Sequence, residues 1–241
     1  MATPTQFRPG DVISYMEMCA AVGVNLQRGM NYRLCGLESV ILMSRRVGAP
    51  YRDEIDDTGT VLVYEGHDCL KAPTGPDPKN VDQPERNPGG TLTQNGLFAD
   101  SVKRFKELGH APEKVRVFEK IREGIWAYNG VFELVDCRHD NSTGRRVFKF
   151  ELRLIHSEDH SFSGNPSQRL DDEDDRVIPG WVKVEVWKRD KGTCRMHGCG
   201  AKTRLHFDHI IPYSKGGSSK DPNNIQILCG RHNLEKRDKI E

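Results

Sequence analysis

Residues 146–155 carry the clearest two-residue period in the chain. Phe148, Phe150, Leu152 and Leu154 alternate with Lys149, Glu151 and Arg153, which predicts a strand. Runs rich in β-branched and aromatic residues at 60–64, 115–119 and 131–136 predict three more strands. Leu97, Val102 and Phe105 recur toward one face and predict a helix over 96–108. Strands with one or two helices before residue 160 point to a small twisted barrel. Farther on, a short run ends at Leu205-His206-Phe207, and Pro212 with Lys215-Gly216-Gly217-Ser218-Ser219 predicts an irregular bend. Residues 227–239 read as a helix with polar residues outward. The expected fold class is α+β.

Two stretches break these patterns. The Pro-rich segment 73–88 reads as a long loop. The run Asp171-Asp172-Glu173-Asp174-Asp175 repels itself and favours a solvated, extended segment, and Pro179-Gly180 follows it. These features divide the chain into a unit at 1–160, an acidic flexible linker at 161–180 and a unit at 181–241.

Charge sharpens that division. The 241 residues carry a net charge of +1. Residues 181–241, however, hold 13 Lys+Arg against 7 Asp+Glu, and residues 161–180 hold 2 against 5. Attraction for phosphate is therefore expected in the C-terminal unit. No long apolar run or secretory signal is visible, which predicts no membrane span and no disulfide framework. Cys19, Cys35, Cys69 and Cys137 lack ligand spacing and read as reduced thiols.

The remaining cysteines have ligand spacing. Cys194-x4-Cys199 and Cys229-x2-His232 offer three thiolates and an imidazole, donors that suit tetrahedral zinc. A filled set of four protein ligands makes a structural site, although His197, between the first two cysteines, is a rival ligand. A segment of about sixty residues buries too little apolar surface to be stable without such help. Between these pairs lie Asp208 and His209. Neighbours in an extended segment point to opposite faces, so the two serve one site only if the chain turns there. The Asp208 carboxylate and the Asn233 carbonyl would form a hard oxygen site of the kind magnesium takes. A neutral His beside such a cation can accept the proton of an attacking water.

These residues carry a resemblance. Through Asp208-His209-Ile210-Ile211-Pro212, the Lys-Gly-Gly loop and the four zinc ligands, residues 181–241 resemble an HNH nuclease domain of the ββα-metal fold. The resemblance implies that His209 is the general base acting on water against a DNA phosphodiester. It further implies that Asp208 and Asn233 hold one Mg2+ or Mn2+, and that Asn224 ties the loop down so that His209 is aimed.

A more diffuse resemblance spans about residues 45–155. The order Val61-Leu62-Val63-Tyr64-Glu65-Gly66, Leu92-Thr93-Gln94-Asn95, Lys114-Val115-Arg116-Val117 and Tyr128-Asn129-Gly130-Val131-Phe132 is similar to an SRA domain. SRA domains are PUA-like folds that flip a modified cytosine out of duplex DNA. The resemblance implies that Tyr51 and Tyr64 sandwich the base, and that Asp53 or Glu54 accepts from its exocyclic amine. The loop between the tyrosines is one residue longer than the common pattern, so both acids stay open.

Other polar residues have simpler expectations. Arg45, Arg46, Lys103, Arg104 and Lys106 offer a basic track for phosphates, and His67-Asp68 reads as an exposed pair. Gln83, Arg86 and Asn87 could enter a groove from the Pro-rich loop. Together the two resemblances imply a bacterial, cytoplasmic, modification-dependent restriction endonuclease. Its partner would be double-stranded DNA carrying 5-methyl- or 5-hydroxymethylcytosine. One HNH site cuts one strand, so a homodimer is expected. The alternatives are an HNH restriction enzyme that reads unmodified sequence, and a DNA-binding module without nuclease activity.

Overall fold

Ser14 ends the first strand and caps the first helix. The strand β1, Asp11–Ser14, leads directly into α1, Tyr15–Val22. The Ser14 hydroxyl accepts from the Glu17 N–H at 3.2 Å, and the Glu17 carboxylate accepts from the Ser14 N–H at 2.8 Å, which satisfies two helix-end donors at once. This is a computed structural model, and it describes residues 7–26, 29–34, 38–46, 48–56, 59–141, 144–155, 178–237 and 240.

Four short strands follow: β2 at Met30–Asn31, β3 at Ser39–Met43, β4 at Glu54–Ile55 and β5 at Val61–Glu65. The helix α2, Gln94–Leu108, starts where the Thr93 side chain accepts from the Gly96 N–H. Then come β6, Glu113–Arg122, β7, Ile125–Asp140, and β8, Val147–Leu154. The C-terminal part contributes α3, Gly180–Asp190, β9, Leu205–His209, β10, Ile225–Cys229, and α4, Gly230–Lys236.

All ten strands among the described residues share one sheet, in the order β10-β9-β1-β7-β6-β3-β2, with β4-β5-β8 branching from β7. The length of β7 permits the branch. Its first residues pair with β1, most of its length pairs with β6, and Phe132 to Asp140 pair with β8. Register shifts between Val117/Phe118, Lys120/Arg122 and Leu134/Asp136 bend these strands, so the sheet curls. Phe98 of α2 packs into the curl against Phe132, Phe150 and Leu134, all fully buried. On the opposite side, Met18, Cys19 and Val22 of α1 cover Val40 and Phe118.

The four strands and the helix expected before residue 160 are present: the strands at 115–119 and 131–136 and the helix are longer, the strand at 60–64 is shifted by one residue, and the strand at 146–155 is one residue shorter at each end. The helix expected over 227–239 is shorter. Ile227, Leu228 and Cys229 lie in β10, which pairs with β9 from Ile225↔His209 to Cys229↔Leu205. Every residue of β10, including Gln226, is buried, so neither face is wet, and such a run lacks the period that separates strand from helix. The acidic linker lies outside the described residues except for 178–180, where Pro179 caps the start of α3. Among the described residues, no helix is long and apolar enough to cross a membrane.

Candidate nuclease centre and base cavity

Asp208 and His209 are the last residues of β9, so the strand continues through both and the bend begins one residue later. Their side chains accordingly meet different elements. The Asp208 carboxylate pairs with the Lys236 ammonium at 2.9 Å, on α4. His209 Nε2 shares a hydrogen bond of 2.8 Å with the Ser219 hydroxyl, in the loop between β9 and β10. Lys236 is only 2% exposed and also donates to the His209 carbonyl at 2.6 Å, so one buried ammonium fixes both residues at the strand end. Asn233 is half-buried on α4, three residues before Lys236, and residues at that spacing share a helix face. Ser219 and Lys236 are site residues that the spacing argument did not assign. Nothing in a polar loop or a helix end marks one Ser or Lys as buried.

Asn224 closes the loop. Its side-chain oxygen accepts from the Ile211 N–H at 2.9 Å, and its amide nitrogen donates to the carbonyls of Ile211 and Ser218 at 3.2 and 3.0 Å. Gly217 allows this closure, because a Cβ there would overlap the Ile211 carbonyl and the Asn224 amide. The loop holding Ser219 is therefore tied to the segment that follows His209.

The ligand atoms of Cys194, Cys199, Cys229 and His232 all lie within 4.8 Å of one another. His232 Nδ1 is 3.3 Å from Cys194 Sγ and 3.4 Å from Cys229 Sγ, and Cys199 Sγ is 3.9 Å from Cys229 Sγ. These separations fit a tetrahedron with metal–sulfur bonds of about 2.3 Å, so the set can hold a metal ion. His197 is exposed and stands outside the group. Burial raises the Cys229 thiol, yet N–H donation from His232 and Arg231 and hydrogen bonds with the neighbouring thiols outweigh it and hold its pKa below the ordinary value. A thiolate at a helix N-terminus is a ready metal ligand.

The second concavity lies on the other half of the sheet. A cavity of about 1410 Å³ is lined by Tyr51, Asp53, Tyr64, His67 and Asp68 among others. The Tyr51 ring stacks on His67, with centroids 5.0 Å apart and planes 17° apart, and the Tyr64 hydroxyl meets His67 Nε2 at 2.9 Å. Asp53 and Glu54 now separate. Asp53 is 9% exposed and lines the cavity, whereas Glu54 is exposed on β4 opposite Val63. The Asp53 carboxylate accepts from the Ser44 N–H at 3.0 Å and the Glu65 N–H at 3.2 Å. Burial outweighs these bonds and pushes its pKa up to about 7.

That shift has a stability consequence with a definite sign. The folded chain binds the Asp53 proton more tightly than the unfolded chain, so this carboxyl costs stability as pH rises from about 4 to about 7. Between pH 5 and 8, wild type is expected to lose about 3 kcal/mol relative to Asp53→Asn. Urea unfolding of both proteins at the two pH values measures it, and parallel pH profiles would contradict the assignment.

Several expectations change. His67 and Asp68 are not an exposed pair, since both line the cavity and Asp68 is ion-paired to Arg145 at 2.7 Å. Gln83 does not reach outward. It is 2% exposed, donates to the Gly66 carbonyl at 2.6 Å and accepts from the Phe148 N–H at 2.8 Å, so it supports the cavity floor. Arg86 and Asn87, by contrast, remain exposed and line the cavity from a turn closed by the Asn87 N–H to Thr91 carbonyl bond at 2.8 Å. Arg46 lines the cavity, but Arg45 pairs with Glu119 at 3.1 Å. Lys103, Arg104 and Lys106 pair with Glu107, Asp100 and Asp136.

The HNH endonuclease family model matches residues 194–239. No curated protein matches the chain. Among solved structures, the SUVH5 SRA domain in complex with hemi-methylated CG DNA is 24% identical, covering 65% of this chain and 93% of that one at a TM-score of 0.45. The same domain bound to fully hydroxymethylated CG DNA is 25% identical, covering 64% and 93% at a TM-score of 0.46. The modification-dependent TagI restriction endonuclease is 15% identical, covering 96% of this chain and 78% of that one at a TM-score of 0.38. The family match spans β9, the loop after it, β10 and α4, the segments that carry Asp208, His209, Asn224 and Asn233. Residues 194–239 are an HNH endonuclease domain, and this chain is a nuclease.

Proposed function

We propose that the chain is a modification-dependent endonuclease, which flips a modified cytosine out of duplex DNA into the Tyr51/Tyr64 cavity and hydrolyses a phosphodiester nearby at Asp208 and His209. The observation that carries the reading is the buried carboxylate of Asp53 inside an aromatic cavity. A flipped base loses its stacking and needs aromatic faces and polar groups at its Watson–Crick edge. Tyr51 already holds a planar ring face to face, that of His67. Asp53 can accept from the exocyclic amine of cytosine, where thymine presents a carbonyl. Glu54, exposed on the outside of β4, is the weaker candidate.

At the nuclease centre, Asp208 and Asn233 are oxygen donors of the hard type that Mg2+ or Mn2+ takes, and we assign the catalytic cation to them. When bound, that ion supplies charge stabilisation at the scissile phosphate and the leaving oxygen. His209 takes the proton from the attacking water, with Ser219 holding Nε2 at 2.8 Å and Asn224 holding the loop. Cys194, Cys199, Cys229 and His232 hold structural Zn2+. One centre cuts one strand, so double-strand cleavage takes two chains, and a homodimer is the simplest arrangement. We read residues 1–160 as the DNA-reading unit and 181–241 as the nuclease.

A cleavage assay on one plasmid, prepared unmodified, 5-methylated and 5-hydroxymethylated, tests the reading. Metal-dependent cutting confined to modified plasmid is expected, and EDTA should stop it. Tyr51→Ala is expected to weaken that preference by about ten- to a hundredfold, the worth of one base–aromatic stack. Equal cutting of all three plasmids would leave the nuclease and overturn the base-reading assignment.

A further inference from the structure

The strand that ends in the nuclease residues is hydrogen-bonded to the strand that begins the reader. β1 pairs with β7 on one edge, at Val12↔Ala127, and with β9 on the other, at Asp11↔His206 and Val12↔Leu205. The side chains repeat the connection, with His206 Nδ1 2.7 Å from an Asp11 carboxylate oxygen. Val12, Ile121 and Ala127 share one buried core with Val182, Val186 and Phe207.

A polar chain crosses the same boundary. Lys183 of α3 is 3% exposed and donates to the Asn129 side-chain oxygen at 2.8 Å. The Asn129 amide donates to Glu119 at 3.3 Å, and the other Glu119 oxygen accepts from Arg45 Nε at 3.1 Å. Gly180 lies against this group, where a Cβ would collide with Arg45 and Glu119. Arg45 is flanked by Ser44 and Arg46, which line the base cavity, and the Ser44 N–H holds Asp53. A buried ammonium without partners costs several kcal/mol, so Lys183 favours one arrangement of α3 on the sheet.

We propose that this joint, through Asp11, Glu119, Asn129 and Lys183, sets the distance along DNA between the base cavity and the bond that is cut. The distance rests on the proposed base reading, whereas the joint itself does not. A nuclease on a free tether would cut over a range of positions, at a rate set by tether length. A nuclease held as an edge of the reader's sheet cuts at one offset, whatever the length of the connecting segment.

Two experiments on the full chain test this. In the first, a protease site is placed within residues 161–177 and cleaved. The two pieces should co-elute in size exclusion, even in about 1 M salt, where surface charge is screened within ~3 Å. Separation of the pieces overturns the joint, whatever the DNA specificity.

In the second, the acidic segment is doubled in length, and cut ends are mapped on a duplex with one modified cytosine. One dominant offset is expected, with position and rate unchanged, while a free tether would lose about threefold in local concentration and spread its cuts. Cutting confined to modified duplex but scattered in position overturns the inference and leaves the base reading intact. Equal cutting of modified and unmodified duplex sinks the base reading and the offset with it, and the first experiment still decides the joint. Lys183→Glu places a carboxylate against Glu119 and should broaden the offset. Should that variant fail to fold, the lengthened chain gives the answer.

Discussion

His209→Ala is expected to reduce cleavage by about 10²–10⁴-fold while leaving DNA binding intact, because a positioned general base contributes that range. The fold should tolerate the change. The backbone bonds of β9 to β10 do not involve the imidazole, and the Lys236 ammonium bonds the His209 carbonyl, which alanine keeps. The side-chain partners lost include the Tyr213 ring and the Ser219 hydroxyl, which can turn to water. Nicking of modified supercoiled plasmid measures the rate, and gel shift on the same DNA measures binding. Undiminished nicking by the variant would remove His209 from the role of base.

The second large effect concerns the metal cluster. Replacing Cys229 with Ser, or stripping the ion with a strong chelator, is expected to unfold the 194–237 region and abolish cutting. A structural zinc contributes an apparent ~10–16 kcal/mol at neutral pH, which exceeds what so small a segment gains from its own core. Cys229 also ends β10 and stands at the N-terminal end of α4, so a metal bound there anchors the start of the helix that carries Asn233 and Lys236. Metal analysis should return one zinc per chain in wild type and none in Cys229→Ser. Far-UV circular dichroism should show partial loss of structure, with the β5–β8 half retained. A variant free of zinc with wild-type thermal stability would contradict the assignment.

The Cys/His set that can hold a metal, and the tie that Asn224 makes to the segment after His209, were legible because their geometry is local. Two residues between Cys229 and His232 span less than a turn of helix, and Asn224 closes a loop on Ile211, thirteen positions away. The strand at 147–154 was legible for a similar reason, since Phe148, Phe150, Leu152 and Leu154 alternate with charged residues, although the structure buries Lys149 against Glu65 and leaves only the Arg153 end of that face exposed. The missed features depend on distant partners. β10 is dry on both faces, so its pattern does not distinguish strand from helix. β1 has only four residues, and what makes it matter is its pairing with β9, which brings together Asp11 and His206, 195 positions apart.

Spacing and periodicity sufficed for the HNH motif, the Cys/His set that can hold a metal and the main strands. Spacing and period report short-range geometry, which a chain carries with it wherever it folds. Only in the folded chain does Asp53 rather than Glu54 face the cavity, do Ser219 and Lys236 bond His209 and Asp208, and is Gln83 buried. Only there does the β9–β10 hairpin join the sheet of the N-terminal strands. The reason is that backbone edges and buried charges choose partners by proximity in the folded chain. Lys183 reaches Asn129 across 54 positions, and no local pattern encodes that pairing.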